Sequence, residues 1–226
     1  MRECEMRVLV VEDDRHVARP LCAALRDHGW DVVWVAAGEE ALRPHDADIV
    51  LLDLRLPDMD GIEVCRKLRQ SSAVPIIVIT ARVSERDMLQ VFGAGANDYV
   101  RKPFAVREVI ERIKVAIGHT RKTLPPRLDR PKEVTLDRLV IDIAQREVRV
   151  DGALVTLTRT EFDILARLAR EPGAVVASRA LIGDVWQGQG GTNKALAVHV
   201  ANLRRKLGSA VDVQAVHGVG YRLVSG

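Results

Sequence analysis

The segment from residue 49 to 61, IVLLDLRLPDMDG, constrains the fold of this chain more than any other segment. Its apolar run is short and is bounded by turn-forming residues, which predicts a parallel β-strand buried on both faces. Ligands bind just beyond the carboxyl ends of strands in open parallel sheets, and Asp53 would lie at such an end. A single aspartate there more often only forms a turn, so the other strands decide between these interpretations.

The first half of the chain alternates short apolar segments with amphipathic ones. Strands are predicted at residues 6–12, 31–35, 49–53, 75–80 and 98–100, and helices at residues 15–28, 38–42, 61–70, 84–94 and 105–117. Strands that alternate with helices in this way imply an α/β fold with a doubly wound, five-stranded parallel sheet.

The ends of these predicted strands carry related chemistry. Glu12 and Asp13 follow the first strand, Asp53 ends the third, Thr80 ends the fourth and Lys102 follows the fifth. Three carboxylates at about 4 Å would repel by roughly 4 kcal/mol per pair at an effective dielectric constant of 20, so they need a cation. Oxygen ligands favour Mg²⁺ over zinc or copper. Together the set predicts a phosphoryl-transfer site with Asp53 as nucleophile.

Composition restricts the class of protein. The chain is 47% hydrophobic and 29% charged, as in soluble globular proteins. No apolar run approaches the ~18 residues of a membrane span, and the first residues lack the apolar centre of a signal peptide. Cys4, Cys22 and Cys65 form neither a metal-ligand nor a redox pair. We therefore expect a cytoplasmic protein with reduced thiols and no membrane partner.

Residues 119–133 are rich in proline and charge and predict a solvated linker between a domain at 1–118 and a second at 134–226. In the second domain, Thr158 and Glu161 form the capping-box pattern that begins a helix. Its predicted elements are a set of short antiparallel strands within 134–155, among them 139–142 and 147–150, helices at 158–169, 178–186 and 193–207, and a hairpin at 211–224. This order predicts an α+β winged helix-turn-helix domain.

Charge is concentrated at the end of the chain. From Ser178 onward, six basic residues outnumber two acidic ones, which leaves a local formal charge of +4 before histidines are counted. A basic helix inside a helix-turn-helix pattern is typical of duplex DNA binding. For the basic run at 204–206 alone, a solvated surface helix is an equally fair interpretation.

These motifs resemble a known family. Residues 6–118 resemble the receiver domain of two-component response regulators, a flavodoxin-like fold, and residues 134–224 resemble the output domain of the OmpR/PhoB class. The resemblance is carried by Glu12-Asp13, Asp53, Leu56-Pro57-xxx-Asp60-Gly61, Thr80-Ala81, Gly95-Ala96-Asn97-Asp98-Tyr99, Lys102-Pro103-Phe104, Leu157-Thr158-x-Thr160-Glu161-Phe162 and Gly218-Val219-Gly220-Tyr221-Arg222.

The resemblance implies that a sensor histidine kinase phosphorylates Asp53 and thereby changes receiver conformation, dimerisation, DNA binding and transcription. Mg²⁺ would be held by Glu12, Asp13, Asp53 and the carbonyl of Arg55. Thr80 and Lys102 would bind phosphoryl oxygens, Tyr99 would turn inward when Thr80 moves, and the Lys102–Pro103 bond would be cis. Such a protein is not an enzyme but a phosphoacceptor with at most slow self-catalysed phosphorylation and dephosphorylation.

The resemblance also implies a homodimer on activation. The family dimerises through the last two receiver helices and the fifth strand, where this chain has Asp98, Glu108 and Arg112. Met88 and Asn97 replace charged residues that are common in relatives. Exposed ion pairs contribute only ~0–1 kcal/mol each, so apolar contacts would still support a dimer.

In the second domain, the helix from Asn193 would enter the major groove of duplex DNA, with half-sites in direct repeat. The loop from Gln187 to Gly191 would contact RNA polymerase. The DNA-binding residues implied are Trp186, Lys194, His199, Asn202, Arg204, Arg205 and His217.

Three of these positions depart from the family pattern. Asn202 stands where many relatives have arginine, and asparagine favours bidentate contact with adenine over guanine. Ala197 replaces a common aspartate. His217 stands where the wing, the terminal hairpin, commonly offers arginine to the minor groove.

We expect tighter DNA binding at about pH 6 than at about pH 8, because histidine is the residue type whose charge responds to pH near neutrality and His217 lies on the wing. Anisotropy titrations of labelled duplex at both pH values measure this. A His217→Arg protein with the same pH dependence would contradict the prediction.

Two alternatives remain at this point. A Mg²⁺-dependent phosphohydrolase also uses an aspartyl nucleophile on such a sheet, but usually carries a second acid two residues later, where this chain has Arg55. The other alternative is a DNA-binding regulator that works without phosphorylation, which the complete set of acids, Thr80 and Lys102 disfavours.

Overall fold

The structure is a computed structural model that describes residues 6–81, 84–118, 133–186 and 191–226. It divides into two compact units, one up to residue 121 and one from residue 122. The predicted linker lies outside the described residues except for Glu133, and the predicted polymerase-contact loop except for Gly191. No helix in the described part of the chain is both long and apolar enough to cross a membrane.

The first unit is the doubly wound α/β fold expected from the sequence. Its elements are β1 (Arg7–Val11), α1 (Arg15–Asp27), β2 (Asp31–Val35), α2 (Gly38–Ala41), β3 (Ile49–Asp53), α3 (Gly61–Ser71), β4 (Ile76–Thr80), α4 (Glu85–Gly93), β5 (Asp98–Arg101) and α5 (Val106–Gly118). The strands are parallel and run in the order β2-β1-β3-β4-β5. This confirms the predicted five-stranded sheet.

Two hydrophobic layers cover the two faces of this sheet. Val50 and Leu52 pack into one layer with residues of α2, α3 and α4, whereas Ile49 and Leu51 pack into the other with residues of α1 and α5. All five residues of β3 are buried, which explains why this strand reads as a continuous apolar run. Cys22 and Cys65 are free and buried, and burial raises the pKa of the Cys65 thiol to about 11.

The strand order places the candidate site. The order in which strands are added to the sheet reverses at β1, because β2 lies on one side of β1 and β3 on the other. Strands β1 and β3 are parallel neighbours, with Val11 beside Leu52. Open α/β sheets bind ligands at such a switch point, outside the carboxyl ends of the strands. Residues that follow β1 and that end β3 are therefore brought together there.

The second unit combines three helices with two antiparallel sheets, in agreement with the predicted winged helix-turn-helix. Its elements are β6 (Glu133–Leu136), β7 (Leu139–Asp142), β8 (Glu147–Val150), β9 (Ala153–Leu154), α6 (Arg159–Leu168), β10 (Val176–Ala177), α7 (Ser178–Trp186), α8 (Asn193–Leu207), β11 (Val211–Val216) and β12 (Gly220–Ser225). The sheets run β6-β7-β8-β9 and β10-β12-β11. Strand β10 was not predicted from the sequence.

The capping box of α6 is confirmed. The Glu161 amide donates to Thr158 Oγ1 at 3.3 Å, and the Thr158 amide donates to Glu161 Oε2 at 2.7 Å. Helix α8 begins in a similar way, because the Ala195 amide donates to the Thr192 hydroxyl at 3.1 Å, and it ends at Gly208 with a φ of +59°. These caps satisfy amides at the helix starts, which have no partner within the helix.

Candidate functional site

Three carboxylates meet at the sheet edge where β1 and β3 end. One oxygen from each of Glu12, Asp13 and Asp53 lies within 4.8 Å of the others. Glu12 is 2% exposed and Asp53 is 5% exposed, whereas Asp13 is open to solvent. Among the residues that the structure describes, this is the group of acids, histidines or cysteines close enough to hold a metal ion. The acids that the sequence predicted to converge do so.

Lys102 joins two of these acids. Its Nζ donates to Glu12 Oε2 at 2.6 Å and to Asp53 Oδ2 at 2.7 Å. The Lys102 amide donates to the Thr80 carbonyl at 2.8 Å, which ties the residue after β5 to the end of β4. Thr80 is 2% exposed, and the Lys102–Pro103 bond is cis, as the family resemblance implied.

The turn after β3 orients Asp53. The amides of Leu54 and Arg55 donate to Asp53 Oδ1 at 2.6 and 3.2 Å, so one carboxylate oxygen faces the turn while the other faces Lys102. A β-bridge between Arg55 and Asp60 closes the turn. Arg55 thus lies directly beside Asp53, with its side chain exposed.

Burial and proximity shift the protonation of the cluster. Burial, reinforced by the nearby Asp53 carboxylate, raises the pKa of Glu12 to about 7, although the hydrogen bond from Lys102 acts in the opposite direction. Burial alone would lower the pKa of Lys102, but its hydrogen bonds to Asp53 and Glu12 raise it above the ordinary value. The Lys102 ammonium therefore stays charged. The negative charge of the neighbouring carboxylates favours the binding of a further cation beside them.

Two hydrogen bonds to residues of β2 hold the backbone of Glu12, and sequence reasoning did not find them. The Trp34 indole donates to the Glu12 carbonyl at 2.8 Å, and the Glu12 amide donates to the Val35 carbonyl at 3.1 Å. The signal available in the sequence was only that Trp34 lies near the end of a predicted strand.

Gly61 fixes the turn that carries Asp53. A Cβ at this position would lie 2.3 Å from the Asp53 carbonyl oxygen and 2.6 Å from Leu54 Cα. Because these are backbone atoms, we expect Gly61→Ala to lower the free energy of unfolding by about 1–3 kcal/mol. Urea denaturation measures the change. Gly93→Ala is the matched control, since a Cβ there meets nothing within 4 Å, and an equal loss in both variants would contradict the steric explanation.

The residues predicted to bind DNA divide into exposed and buried groups. Lys194, Arg204, Arg205 and His217 are exposed, the first three on α8 and the last in the turn between β11 and β12. Asn202 is 8% exposed.

Two predicted DNA contacts need correction. Trp186 is 3% exposed and His199 is 1% exposed, and their rings pack against each other with centroids 5.7 Å apart. Both side chains face the interior of the second unit, because α7 and α8 pack together through them. Neither therefore forms part of the outer surface of α8.

Several polar groups of α8 have partners within the chain. Arg204 donates to the Val213 carbonyl through Nε at 2.7 Å and also through Nη2. Arg205 Nη2 donates to Asn202 Oδ1 at 3.2 Å. The Asn202 side chain, which is expected to make a bidentate contact with adenine, is therefore buried, and its amide oxygen already accepts a hydrogen bond from Arg205.

Comparison with known proteins identifies both units. Residues 8–114 match the response regulator receiver domain family, and residues 152–223 match the family described as transcriptional regulatory protein, C terminal. RegX3 of Mycobacterium tuberculosis, a sensory transduction protein, is 40% identical over 96% of this chain and 98% of its own. The DNA-binding response regulator MtrA of Mycolicibacterium smegmatis is 36% identical over 98% of both chains. DrrB of Thermotoga maritima, a solved OmpR/PhoB homologue, is 26% identical with a TM-score of 0.52 over 98% of this chain and 100% of DrrB.

The chain belongs to the two-component response regulators of the OmpR/PhoB class. A solved mutant of RitR is also similar, with 27% identity and a TM-score of 0.75 over 98% of this chain and 100% of RitR. As a response regulator, the protein combines a receiver domain with a DNA-binding domain, which implies a histidine kinase and duplex DNA as partners.

The predicted dimer residues of this response regulator are joined within one chain. Arg112 donates to Asp98 at 2.7 Å and to Glu108 at 2.8 Å. Burial raises the pKa of Asp98, against the effect of the nearby Arg112 guanidinium. Met88 is half-buried, and Asn97 is 4% exposed with Oδ1 accepting from the Ile76 amide at 2.9 Å. Asn97 thus faces the interior of the receiver domain.

Proposed function

We propose that Asp53 accepts a phosphoryl group from the phosphohistidine of a sensor histidine kinase, and that this reaction controls how the winged-helix domain binds DNA. The observation that carries the proposal is the arrangement of Asp53, with Glu12 and Asp13 within 4.8 Å and the Lys102 ammonium at 2.7 Å. A carboxylate that is buried, oriented by backbone amides and placed beside a fixed cation is suited to act as a nucleophile.

The acidic residues fit Mg²⁺. Glu12, Asp13, Asp53 and the Arg55 carbonyl supply only oxygen ligands, and the solvent-exposed Asp13 leaves the site open to the waters that Mg²⁺ retains. When all three carboxyl groups are ionised, they and the Lys102 ammonium carry a formal charge of −2, which one divalent ion would balance. When bound, the ion neutralises negative charge on the transferred phosphoryl group.

In the transfer step, an oxygen of Asp53 forms a bond to phosphorus while the P–N bond of the phosphohistidine breaks. The electron pair of that bond stays on the imidazole nitrogen of the kinase. Lys102, already hydrogen-bonded to Asp53, holds an oxygen of the phosphoryl group, and the Thr80 hydroxyl at the end of β4 holds another. Both groups act as hydrogen-bond donors to a charged acceptor, which makes these bonds strong.

Phosphorylation converts the singly charged Asp53 carboxylate into an acyl phosphate with a charge of about −1.5 to −2, which lies farther out at the sheet edge. Thr80 is drawn toward it, and Tyr99 turns into the space that Thr80 leaves. Tyr99 is half-buried and packs edge-to-face on Phe92 of α4, with ring centroids 6.0 Å apart. A shift of β4 and β5 therefore reaches the surfaces of α4 and α5.

Those surfaces form a homodimer on activation. The ion pairs of Arg112 lie within one chain, and Leu89 of α4 is 43% exposed, so apolar contact contributes to the dimer together with charge. Two DNA-binding domains in one dimer bind direct-repeat half-sites, and the segment 187–191, of which the structure describes only Gly191, contacts RNA polymerase.

The experiment that tests this proposal measures labelling and DNA affinity in parallel. Full-length protein is incubated with radiolabelled acetyl phosphate and Mg²⁺, and its affinity for selected genomic fragments is compared with that of untreated protein. We expect Mg²⁺-dependent label and tighter DNA binding after treatment. Label without any change in DNA affinity would favour a regulator that works independently of phosphorylation.

Substitutions at the switch residues should separate the two readouts. We expect Thr80→Ala and Tyr99→Ala to leave labelling largely intact, because neither residue is the acceptor, and to remove most of the gain in DNA affinity. The measurement is the ratio of DNA affinities with and without acetyl phosphate. Thr156→Ala, at an exposed threonine of the second unit, is the matched control for Thr80→Ala. A full gain in affinity in the switch variants would contradict the proposed coupling.

A further inference from the structure

The loop after β1 supplies two of the three acids of the cluster, and a tryptophan on β2 holds its backbone. Trp34 Nε1 donates to the Glu12 carbonyl at 2.8 Å, and the Glu12 amide donates to the Val35 carbonyl at 3.1 Å. Trp34 is paired with Val10 of β1, so its side chain reaches along the neighbouring strand to the residue that follows it. Both polar groups of the Glu12 backbone are therefore bonded to β2.

Burial of the indole does not by itself require this bond. A fully buried indole N–H needs a partner within the protein. Trp34 is half-buried and packs at the margin of the hydrophobic layer formed with α1 and α5, where an indole can also donate to water. The consequence of the bond lies in the loop that accepts it.

Asp13 is the acid whose position depends most on this loop. Lys102 binds Glu12 at 2.6 Å and Asp53 at 2.7 Å, and both of these acids are buried. Asp13 is exposed, so packing does not fix its carboxylate. The Glu12 carbonyl and the Asp13 amide belong to one planar peptide unit, so the indole bond orients the backbone that carries Asp13. On the other side of Asp13, the Asp14 side chain caps α1 and anchors the loop there.

We infer that Trp34 is a positioning residue for the divalent ion and acts by presenting Asp13 as the third carboxylate ligand. Residues that orient metal ligands without touching the ion typically change metal affinity by about 10- to 100-fold. The inference rests on the metal site in the proposed function, and it adds a residue that lies outside the ligand set.

Binding of Mn²⁺ tests the inference without any phosphoryl donor. Mn²⁺ accepts the same oxygen ligands as Mg²⁺. The electron paramagnetic resonance signal of the free ion falls as the ion binds, so a titration of the full chain yields a dissociation constant. Trp34→Phe keeps an aromatic ring at the margin of the hydrophobic layer but removes the N–H donor. We expect its dissociation constant for Mn²⁺ to rise about tenfold.

Trp30→Phe is the matched control. Trp30 is also half-buried and packs against the same hydrophobic layer, and its ring contacts His28 just before the start of β2. We expect this variant to bind Mn²⁺ as the unchanged protein does. Equal losses in the two variants would refute the inference, because the cause would then be the loss of a tryptophan and not of the bond to Glu12.

The dependence of labelling on Mg²⁺ separates positioning of the ion from general support of the fold. With acetyl phosphate as donor, we expect Trp34→Phe to need about tenfold more Mg²⁺ for half-maximal labelling and to reach an unchanged rate at saturation. A slower rate at every Mg²⁺ concentration would show that the indole only supports the fold, and the inference would then be wrong.

The route through Asp13 is tested by a double-mutant cycle. Asp13→Asn removes the carboxylate on which Trp34 is inferred to act, and it leaves Glu12 and Asp53 as ligands. Residues that act through one another have non-additive effects. We therefore expect Trp34→Phe to have little effect on Mn²⁺ affinity in the Asp13→Asn protein. An undiminished loss in that background would contradict the inferred route.

The outcomes distinguish this inference from the function on which it rests. Equal Mn²⁺ affinity in Trp34→Phe and the unchanged protein, with Mg²⁺-dependent labelling of both, would overturn the inference and leave the proposed function standing. Mn²⁺ binding that depends on Trp34 in a chain that takes no label would support the inference and overturn the proposed phosphoryl transfer. Failure of the unchanged protein to bind Mn²⁺ would overturn both.

Discussion

An Asp53→Asn protein is expected to incorporate no label from acetyl phosphate, whereas the unchanged protein becomes labelled in the presence of Mg²⁺. The amide has no carboxylate oxygen to form the acyl phosphate, so the loss should be complete rather than partial. The fold should survive, because the asparagine oxygen can still accept from the amides of Leu54 and Arg55, which now bond to Asp53 Oδ1.

The substitution also changes the surroundings of Lys102. The ammonium loses its acceptor at 2.7 Å on residue 53 but keeps Glu12 at 2.6 Å, so it remains anchored in the cluster. Asp27→Asn, at an exposed acid that ends α1, is the matched control and should retain full labelling. Label on Asp53→Asn at another residue, located by peptide mapping, would refute the assignment of the acceptor.

Lys206→Met is expected to lower the free energy of unfolding of the DNA-binding domain by about 3–5 kcal/mol. Lys206 Nζ donates to Glu161 Oε2 at 2.7 Å, and the Glu161 side chain is 1% exposed. Loss of the ammonium leaves a buried carboxylate with the Thr158 amide as its remaining bonded partner among the contacts described above. An unpaired buried charge is among the costliest changes a domain can suffer.

Native-state hydrogen exchange, resolved by peptide in the full chain, separates the two domains. We expect amides of α6 and α8 to exchange at least about a hundredfold faster, and amides of the receiver domain to be unaffected. Arg149→Met removes the ion pair of Arg149 with Glu147, whose side chains are 48% and 40% exposed, and should have little effect because exposed pairs are weak. Similar losses in the two variants would show that burial of Glu161 is not the cause.

The fold and the acidic cluster were largely predictable from sequence, for one reason. Residues at the ends of neighbouring parallel strands have to share an edge, so Glu12, Asp53 and Lys102 are brought together by topology alone. The ion pair between Asp98 and Arg112, by contrast, could not be predicted. The two residues are fourteen positions apart, and no periodic pattern in the sequence shows that they pair within one chain rather than with a second copy in a dimer.

The burial of polar residues on α8 was not predicted, for a different reason. The apolar stripe at Leu196, Val200 and Leu203 was visible in the sequence, but His199 and Asn202 lie beside it and are buried with it. A polar side chain at the margin of a buried stripe looks like a surface residue when only its chemistry is considered. Strand β10 was missed because two residues are too short to show any alternation.

One consequence of the Lys102 bridge concerns how readily the pocket accepts an ion. The ammonium already spans Glu12 and Asp53, which would otherwise repel each other and splay apart. Binding of a divalent ion would then exchange one set of electrostatic partners for another, with the carboxylates already in position. Little conformational entropy is lost in such an exchange, so the resting protein is already arranged for the chemistry that switches it on.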